Sequence, residues 1–376
     1  MKNISKFKVE KGIYIPIILF FLISIFTIYS TKSLLGADYN LLWIKQTAWY
    51  ILGISIATIM MLFGNKFLYN NAWLFYFIGV LLLLLVLFFG TDVNNARCWF
   101  KIPYIGSFQP SEFMKVFLII ILAKLITDFN ERYDNPEVMD EFKFILKILI
   151  IVLIPSILTF IEPDTGAVIM YLIITFVMLF IGGFRKRWFI LTILAVLMLV
   201  LSVFLIYIIN SDLFIKIFGT SMFYRMDRIF NWTNSSGLQL RNSLIAIGSA
   251  GAFGHGYNHT PIYFPEMQTD FIFGVFASNF GLFGSILLIS LIVIFDINLI
   301  NTVNKTYNMY DKYAIGGIIG VLFFQQIYNI SMTIGVLPIM GITLPFLSYG
   351  GSSLLSYMLL LGIIFNVSNA SLRYTN

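Results

Sequence analysis

Apolar residues in this chain recur in long, nearly unbroken runs, not in the two-residue alternation of half-buried strands. Ten runs stand out, at roughly 12–31, 46–64, 72–90, 112–127, 144–161, 165–183, 188–209, 271–295, 313–334 and 351–368. Each is close to the length that a helix needs to cross the apolar slab of a membrane. Polar residues gather between the runs, most of all in a stretch from 210 to 270 between the seventh and eighth. The pattern predicts an all-α, polytopic membrane protein with about ten transmembrane helices. Nothing between the runs is large enough for a soluble domain, so residues 1–376 read as one transmembrane domain with the 210–270 loop included.

Composition agrees and narrows the class. Hydrophobic residues make up 59% of the 376 residues and charged residues 11%, where soluble globular chains carry about a quarter charged. The runs are of helical length, which excludes the short alternating strands of an outer-membrane barrel. The net charge of +6 has its meaning in its location and does not indicate a nucleic-acid partner. Lys2, Lys6, Lys8 and Lys11 precede the first run as in a signal peptide. No small-residue cleavage site follows, so the run is expected to stay as the first helix. With the N-terminus inside, fifteen basic residues face the cytoplasm, including Arg185-Lys186-Arg187, against nine on the other side. Both termini are then cytoplasmic and the 210–270 loop is extracytoplasmic. Cys98 is the only cysteine, so no intramolecular disulfide can form.

Candidate chemistry lies at the run edges on the outer side. Pro265-Glu266-Met267-Gln268-Thr269-Asp270 sits at the mouth of the eighth run. A carboxylate there is costly unless it faces water or a partner. Asp270 is therefore a functional candidate, or else Thr269 or Asp270 caps the helix. Pro110-Ser111-Glu112 opens the fourth run, and Glu112 shares a helix face with Lys115. The pair is either structural or an inward cation for an anionic head group. Arg97 and Lys101 flank Trp99, as a head-group clamp or an interfacial anchor. Asp164, before Thr165-Gly166, reads as a cap. The long loop carries Arg225, Asp227, Arg228 and Arg241, then a stretch rich in small residues from Ala246 to Gly256 whose amides are candidates to meet an anion. It lacks the Gly-Lys-Ser/Thr ending of a nucleotide loop, so ATP use is not indicated. His255 and His259 lack a third metal ligand nearby. Pro338, Pro345 and Gly350-Gly351 interrupt chain at membrane depth, which is tolerated only in protein or beside a wet cavity.

Several of these segments, in this order, resemble the signatures of the SEDS family, the bacterial shape, elongation, division and sporulation proteins. They are Gln109-Pro110-Ser111-Glu112 with Lys115, Pro163-Asp164-x-Gly166, Ala246-Ile247-Gly248-Ser249, Pro265-Glu266-x-x-Thr269-Asp270-Phe271-Ile272-Phe273 and Gly341-Ile342-x-Leu344-Pro345-Phe346-Leu347-Ser348-Tyr349-Gly350-Gly351-Ser352-Ser353. Met332-Thr333-Ile334-Gly335 and short tails are more similar to the elongation branch than to the division branch. The resemblance implies a ten-helix peptidoglycan glycosyltransferase of the bacterial cytoplasmic membrane that polymerises lipid II. It further implies a class B penicillin-binding protein as partner, with other elongation-complex membrane proteins. Asp270 matches the family's essential aspartate, Arg97 and Trp99 its outer-loop residues, and Glu112 and Lys115 the polar pair of its fourth helix. Ser278-Asn279 stands where the family usually has an acidic pair, His255 where it has a basic residue, Glu162 where it has glutamine, and Ser331 where glycine is common.

Such a reaction needs a base beside an attacking sugar hydroxyl and positive charge beside a departing diphosphate. Asp270 is the expected base. Arg97, Trp99, Lys101, Glu112, Lys115, Arg228, Arg241, Thr269, Ser348 and Ser352 are the expected substrate-binding set. A divalent cation, Mg or Mn, bridging diphosphate and carboxylate is compatible, although the sequence contains no dedicated cage. A lipid II flippase and a non-catalytic scaffold are the rival readings, the first because broken helices and intramembrane charges suit transport as well.

Overall fold

The computed structural model describes residues 7–36, 39–93, 96–102, 106–230 and 237–374. Lys2, Lys6, Asn94, Asn95 and the side chains of Arg225, Asp227, Arg228 and Arg373 lie outside the described residues.

Ten long helices stand where the ten apolar runs predict them: α1 Lys11–Ser30, α3 Leu42–Phe63, α5 Ala72–Phe89, α6 Pro110–Arg132, α7 Val138–Ile161, α8 Thr165–Ile181, α9 Lys186–Ile209, α12 Ile272–Asn304, α13 Met309–Thr333 and α14 Gly351–Tyr374. Shorter helices α2 Lys32–Leu35 and α4 Asn65–Asn70 link the first spans. Eight of the long helices are long and apolar enough to cross a membrane by themselves. The other two are α8, with 17 residues, and α6, which carries Glu112, Lys115, Lys124 and Asp128 along its length. Helix α6 is nevertheless buried along most of its middle, from Met114 to Ile126, and packs against α5, α8, α13 and α14. Its neighbours, not lipid, solvate its polar groups. The chain is a multi-pass, all-α membrane protein.

Three sequence expectations change in detail. Helices extend past their apolar runs, most clearly α12, which continues from 295 to Asn304 because the added turns project beyond the apolar slab and need no grease. The outer segment after α5 is a small antiparallel sheet, β1 Thr91–Val93, β2 Ala96–Ile102 and β3 Gly106–Phe108, in the order β1-β2-β3. Its register pairs Phe100 with Phe108 and Lys101 with Ser107. Among the described residues, the 210–270 segment contains two helices, α10 Ser211–Phe230, broken at Gly219, and α11 Gly237–Ser249.

The small-residue stretch that follows α11 uses part of its backbone to pack against α12. Its N–H groups are used by the protein: Gly254 donates to Ala250 O, His255 to Ser278 O and Gly256 to Asn279 O. Gly254 and Gly281 adopt left-handed backbone (φ 80° and 64°) and cross closely; a Cβ on Gly254 would lie 2.3 Å from Asn279 O, and one on Gly281 2.3 Å from Gly254 N. Only glycine fits both positions. The crossing locks the loop to a bend in α12.

Between α13 and α14 the chain runs without helix from about 334 to 350 and re-enters the bundle. Phe346 anchors it, 98% covered, with its ring 6.1 Å from Phe20 and 5.9 Å from Phe295. Tyr50 donates to Phe346 O. Gln46 donates to Ser348 O at 3.1 Å and accepts from Gly350 N at 3.3 Å. Unpaired backbone is thus satisfied by side chains of neighbouring helices, as membrane depth requires.

Candidate functional site

Two irregular segments meet at the N-terminal ends of α12 and α14. In the first, residues 264–271 fold as consecutive turns with Glu266 in left-handed backbone (φ 57°). The second is the re-entrant chain. Ser348 joins them: its hydroxyl donates to Thr269 O at 2.7 Å and accepts from Leu344 N at 2.8 Å. Tyr349 N donates to Gln268 O at 2.9 Å, and Asn329 Nδ2 donates to Asp270 O and Ile342 O, both at 2.7 Å. The backbone around Asp270 is therefore held from α13 and from the re-entrant chain together.

The cap reading of this segment fails on geometry. The residue preceding α12 is Phe271, and no side chain caps the helix. Thr269 directs its hydroxyl to Glu266 Oε2 at 2.7 Å. No hydrogen bond to the Asp270 carboxylate is found among the described residues, and Gly341 leaves room beside it, since a Cβ there would lie 3.7 Å from Oδ2. Burial, with a smaller push from the Glu266 carboxylate, raises the Asp270 pKa to about 7.

Asp270 lines a cavity of about 820 Å³. The opposite wall comes from α6 and α8. There Lys115, 4% exposed, pairs with Glu112 at 2.8 Å and lies 5.7 Å from the Tyr357 ring. Glu112 also accepts from Ser356 at 3.3 Å. Asp164 caps α8 through Ala167 N at 3.0 Å, as its position predicts, and does more. Its second oxygen accepts from Gln109 Nε2 at 2.9 Å and Ser111 Oγ at 2.8 Å, tying the starts of α6 and α8 to one carboxylate. Burial raises its pKa. The roof is the sheet, with Trp99 and Lys101 on the wall. Ser352 accepts from Gln109 N at 2.9 Å and donates to Ser107 O at 3.2 Å, joining roof to α14.

Of the substrate-binding candidates, Trp99, Lys101, Glu112, Lys115, Thr269 and Ser352 line this cavity with Asp270. Ser348 lies behind the wall as the tie just described. Arg97 is an exposed residue of β2 and Arg241 an exposed residue of α11, neither on the cavity wall. The Arg228 side chain lies outside the described residues. Sequence reasoning passed over Lys45 and Trp49 of α3, which also line the cavity. Trp49 falls inside the second apolar run and Lys45 just before it, and the signal available was a lone lysine at the edge of that run. Ser278 and Asn279 are buried away from the cavity: the Ser278 carbonyl accepts from His255 N at 2.9 Å, while the Asn279 side chain accepts from Thr260 at 3.0 Å and donates to Ser30 at 2.8 Å.

The arrangement gathers on one cavity the Asp270 carboxylate, with no hydrogen bond among the described residues, and Lys45, Lys101 and Lys115. Known proteins share both fold and sequence with it. The family model FTSW_RODA_SPOVE, described as cell cycle protein, matches residues 11–373. The chain is 35% identical over 339 residues to the probable peptidoglycan glycosyltransferase FtsW of Coxiella burnetii, covering 86% of each. It is 26% identical over 394 residues to the peptidoglycan glycosyltransferase RodA of Treponema pallidum, covering 87% of this chain and 89% of that one. Among solved structures, the fold matches the crystal structure of Thermus thermophilus RodA with a TM-score of 0.69 at 24% identity, covering 96% of each chain. A chain from a structure titled as the coordination of polymerization and crosslinking by a peptidoglycan synthase complex matches with a TM-score of 0.79 at 23% identity, covering 96% of this chain and 98% of that one. With nearly its whole length matched, this chain belongs to the FtsW/RodA/SpoVE family of cell cycle proteins.

Proposed function

We propose that this protein is a peptidoglycan glycosyltransferase that polymerises lipid II at the outer face of the bacterial cytoplasmic membrane, with Asp270 as general base. One observation carries the reading: a carboxylate whose pKa is raised to about 7 lines a large cavity that also carries Lys45, Lys101 and Lys115, with no hydrogen bond to hold it among the described residues. Asp270 takes the proton from an acceptor sugar hydroxyl as its oxygen bonds to the donor's anomeric carbon. The anomeric carbon–oxygen bond to the polyprenyl diphosphate breaks on the opposite side, which inverts configuration. Lys101, Lys45 and Lys115 lie along the wall to meet the departing charge. The donor carries its own leaving group, so no ATP is needed.

Among the described residues no three His, Cys, Asp or Glu side chains converge. An Mg or Mn ion enters the proposal as a counter-ion arriving with the diphosphate. The basic residues place both termini and Arg185 to Arg187 in the cytoplasm. Likeness to a chain of a peptidoglycan synthase complex supports a crosslinking partner, of the class B penicillin-binding kind. Met332 to Gly335 supports the elongation branch and its membrane proteins as the setting.

Purified protein in detergent, given labelled lipid II, is the test. Asp270→Asn keeps size and removes the proton acceptor, so polymer is expected to fall by roughly a hundredfold to ten-thousandfold at unchanged thermal stability. Detergent leaves no leaflets to cross, so a transporter would not score. Near-normal polymer from the asparagine variant would sink the mechanism.

A further inference from the structure

A second, smaller cavity of about 260 Å³ opens between α6 and α7, at the far end of α6 from Asp270. Arg132 of the last turn of α6 and Lys143 and Lys147 of α7 line it. Lys143 and Lys147 are four apart and share a helix face. None of the three lies within ion-pair distance of a carboxylate among the described residues. The two acids on the same wall are already engaged: Asp128 accepts from the Tyr69 hydroxyl and pairs with Lys124 at 3.5 Å, and Asp140 accepts from Glu137 N at 3.2 Å in a capping box. The floor is aromatic, with Phe129 and Phe144 at a centroid separation of 4.3 Å. Just beyond the cavity, Phe142, Leu146 and Ile150 of α7 are exposed and apolar.

We propose that this cavity holds the phosphate head group of an anionic membrane lipid in the leaflet opposite the Asp270 cavity. Basic pockets between spans on the cytoplasmic side take such head groups. Three cations without a carboxylate partner among the described residues, with Arg132 lying 5.7 Å from the Tyr133 ring, match one phosphodiester on a concave, ring-floored surface, and the exposed α7 residues offer a track for its acyl chains. Simple snorkelling of lysines explains neither the concavity nor the diversion of both acids. The site shares no residue with the glycosyl-transfer reading and stands independently of it.

The experiment is thermal unfolding of the purified full chain in detergent, titrated with phosphatidylglycerol, phosphatidylcholine or inorganic phosphate. A ligand of the folded state stabilises it saturably. Phosphatidylglycerol is expected to raise the melting temperature with saturation, while phosphatidylcholine and phosphate do not. The double variant Lys143→Ser/Lys147→Ser is expected to need roughly tenfold more phosphatidylglycerol or more, the effect of losing charge-assisted bonds. Lys186→Ser/Arg187→Ser, which removes equal charge outside the cavity, is expected to respond like wild type. Each protein is compared with its own lipid-free baseline, so a change in intrinsic stability does not obscure the result. Equal loss in both double variants, or an equal response to phosphatidylcholine, would overturn the proposal. So would full stabilisation by inorganic phosphate alone, which would make the ligand a soluble phosphate.

Discussion

At the scale of single residues, two carboxyls outside the spans are held in protonation states that ordinary values would not give. Asp270, raised to about 7 by burial and by Glu266, acts as a base only when deprotonated. Polymerisation is therefore expected to fall as pH drops through about 7. Glu266→Gln removes the neighbouring negative charge, so the acid limb should move to lower pH while persisting, because burial is the larger cause. A pH profile of initial rates for both proteins checks this, and an unmoved limb would separate Glu266 from the base. Glu162 is a different case. It is buried, both its oxygens lack a hydrogen-bond partner among the described residues, and burial with the nearby Asp164 charge raises its pKa to about 8. Its folded value exceeds its ordinary 4.5, so the folded state holds the proton more tightly across that interval. Stability is then full below about 4.5 and is lost as pH rises toward 8, on the order of a few kcal/mol. Glu162→Gln should flatten that dependence and unfold at a higher temperature than wild type at pH 8 to 9, with little difference near pH 5. Melting curves across pH decide it.

At the scale of elements, the site depends on irregular chain held by helices. Ser348 is the joint between the turn carrying Asp270 and the re-entrant segment. Ser348→Ala leaves Leu344 N and Thr269 O without their shared partner, which costs about 1–3 kcal/mol for a buried hydrogen-bonded group. Activity per folded molecule is expected to fall too, since the turn is loosened without any change in the chemistry of Asp270. A fall in melting temperature with unchanged activity per folded molecule would show the joint to be structural only. Helix α6 spans both cavities, with Glu112 and Lys115 near one end and Arg132 at the other. Its charges are tolerated because neighbouring helices, α5, α8, α13 and α14 foremost, pack around it and bury most of its middle.

At the scale of the whole molecule, the orientation in the membrane is the frame for the proposed reaction. A reporter enzyme fused at Lys186 should behave as cytoplasmic and one at Tyr257, in the segment between α11 and α12, as extracytoplasmic. The reverse result would put Asp270 on the side where a donor for an extracellular polymer is not presented. The number of long helices and their places were legible in the chain, because burial in lipid demands about twenty apolar residues with every backbone group paired internally. So was Asp270, since an acid at the mouth of a span is conspicuous against grease. Other features were decided only when the chain closed on itself. Lys45 joined the cavity because α3 packs beside α14. Ser348 withdrew behind the wall because Thr269 O and Leu344 N reached it first. Gly254, before α12, served a backbone crossing with Gly281 of that helix. A periodic pattern records what each segment must hide from water, and that demand is local. Which polar groups then meet each other, and which are left free to react, depends on contacts between residues far apart in sequence, and only the tertiary structure sets those.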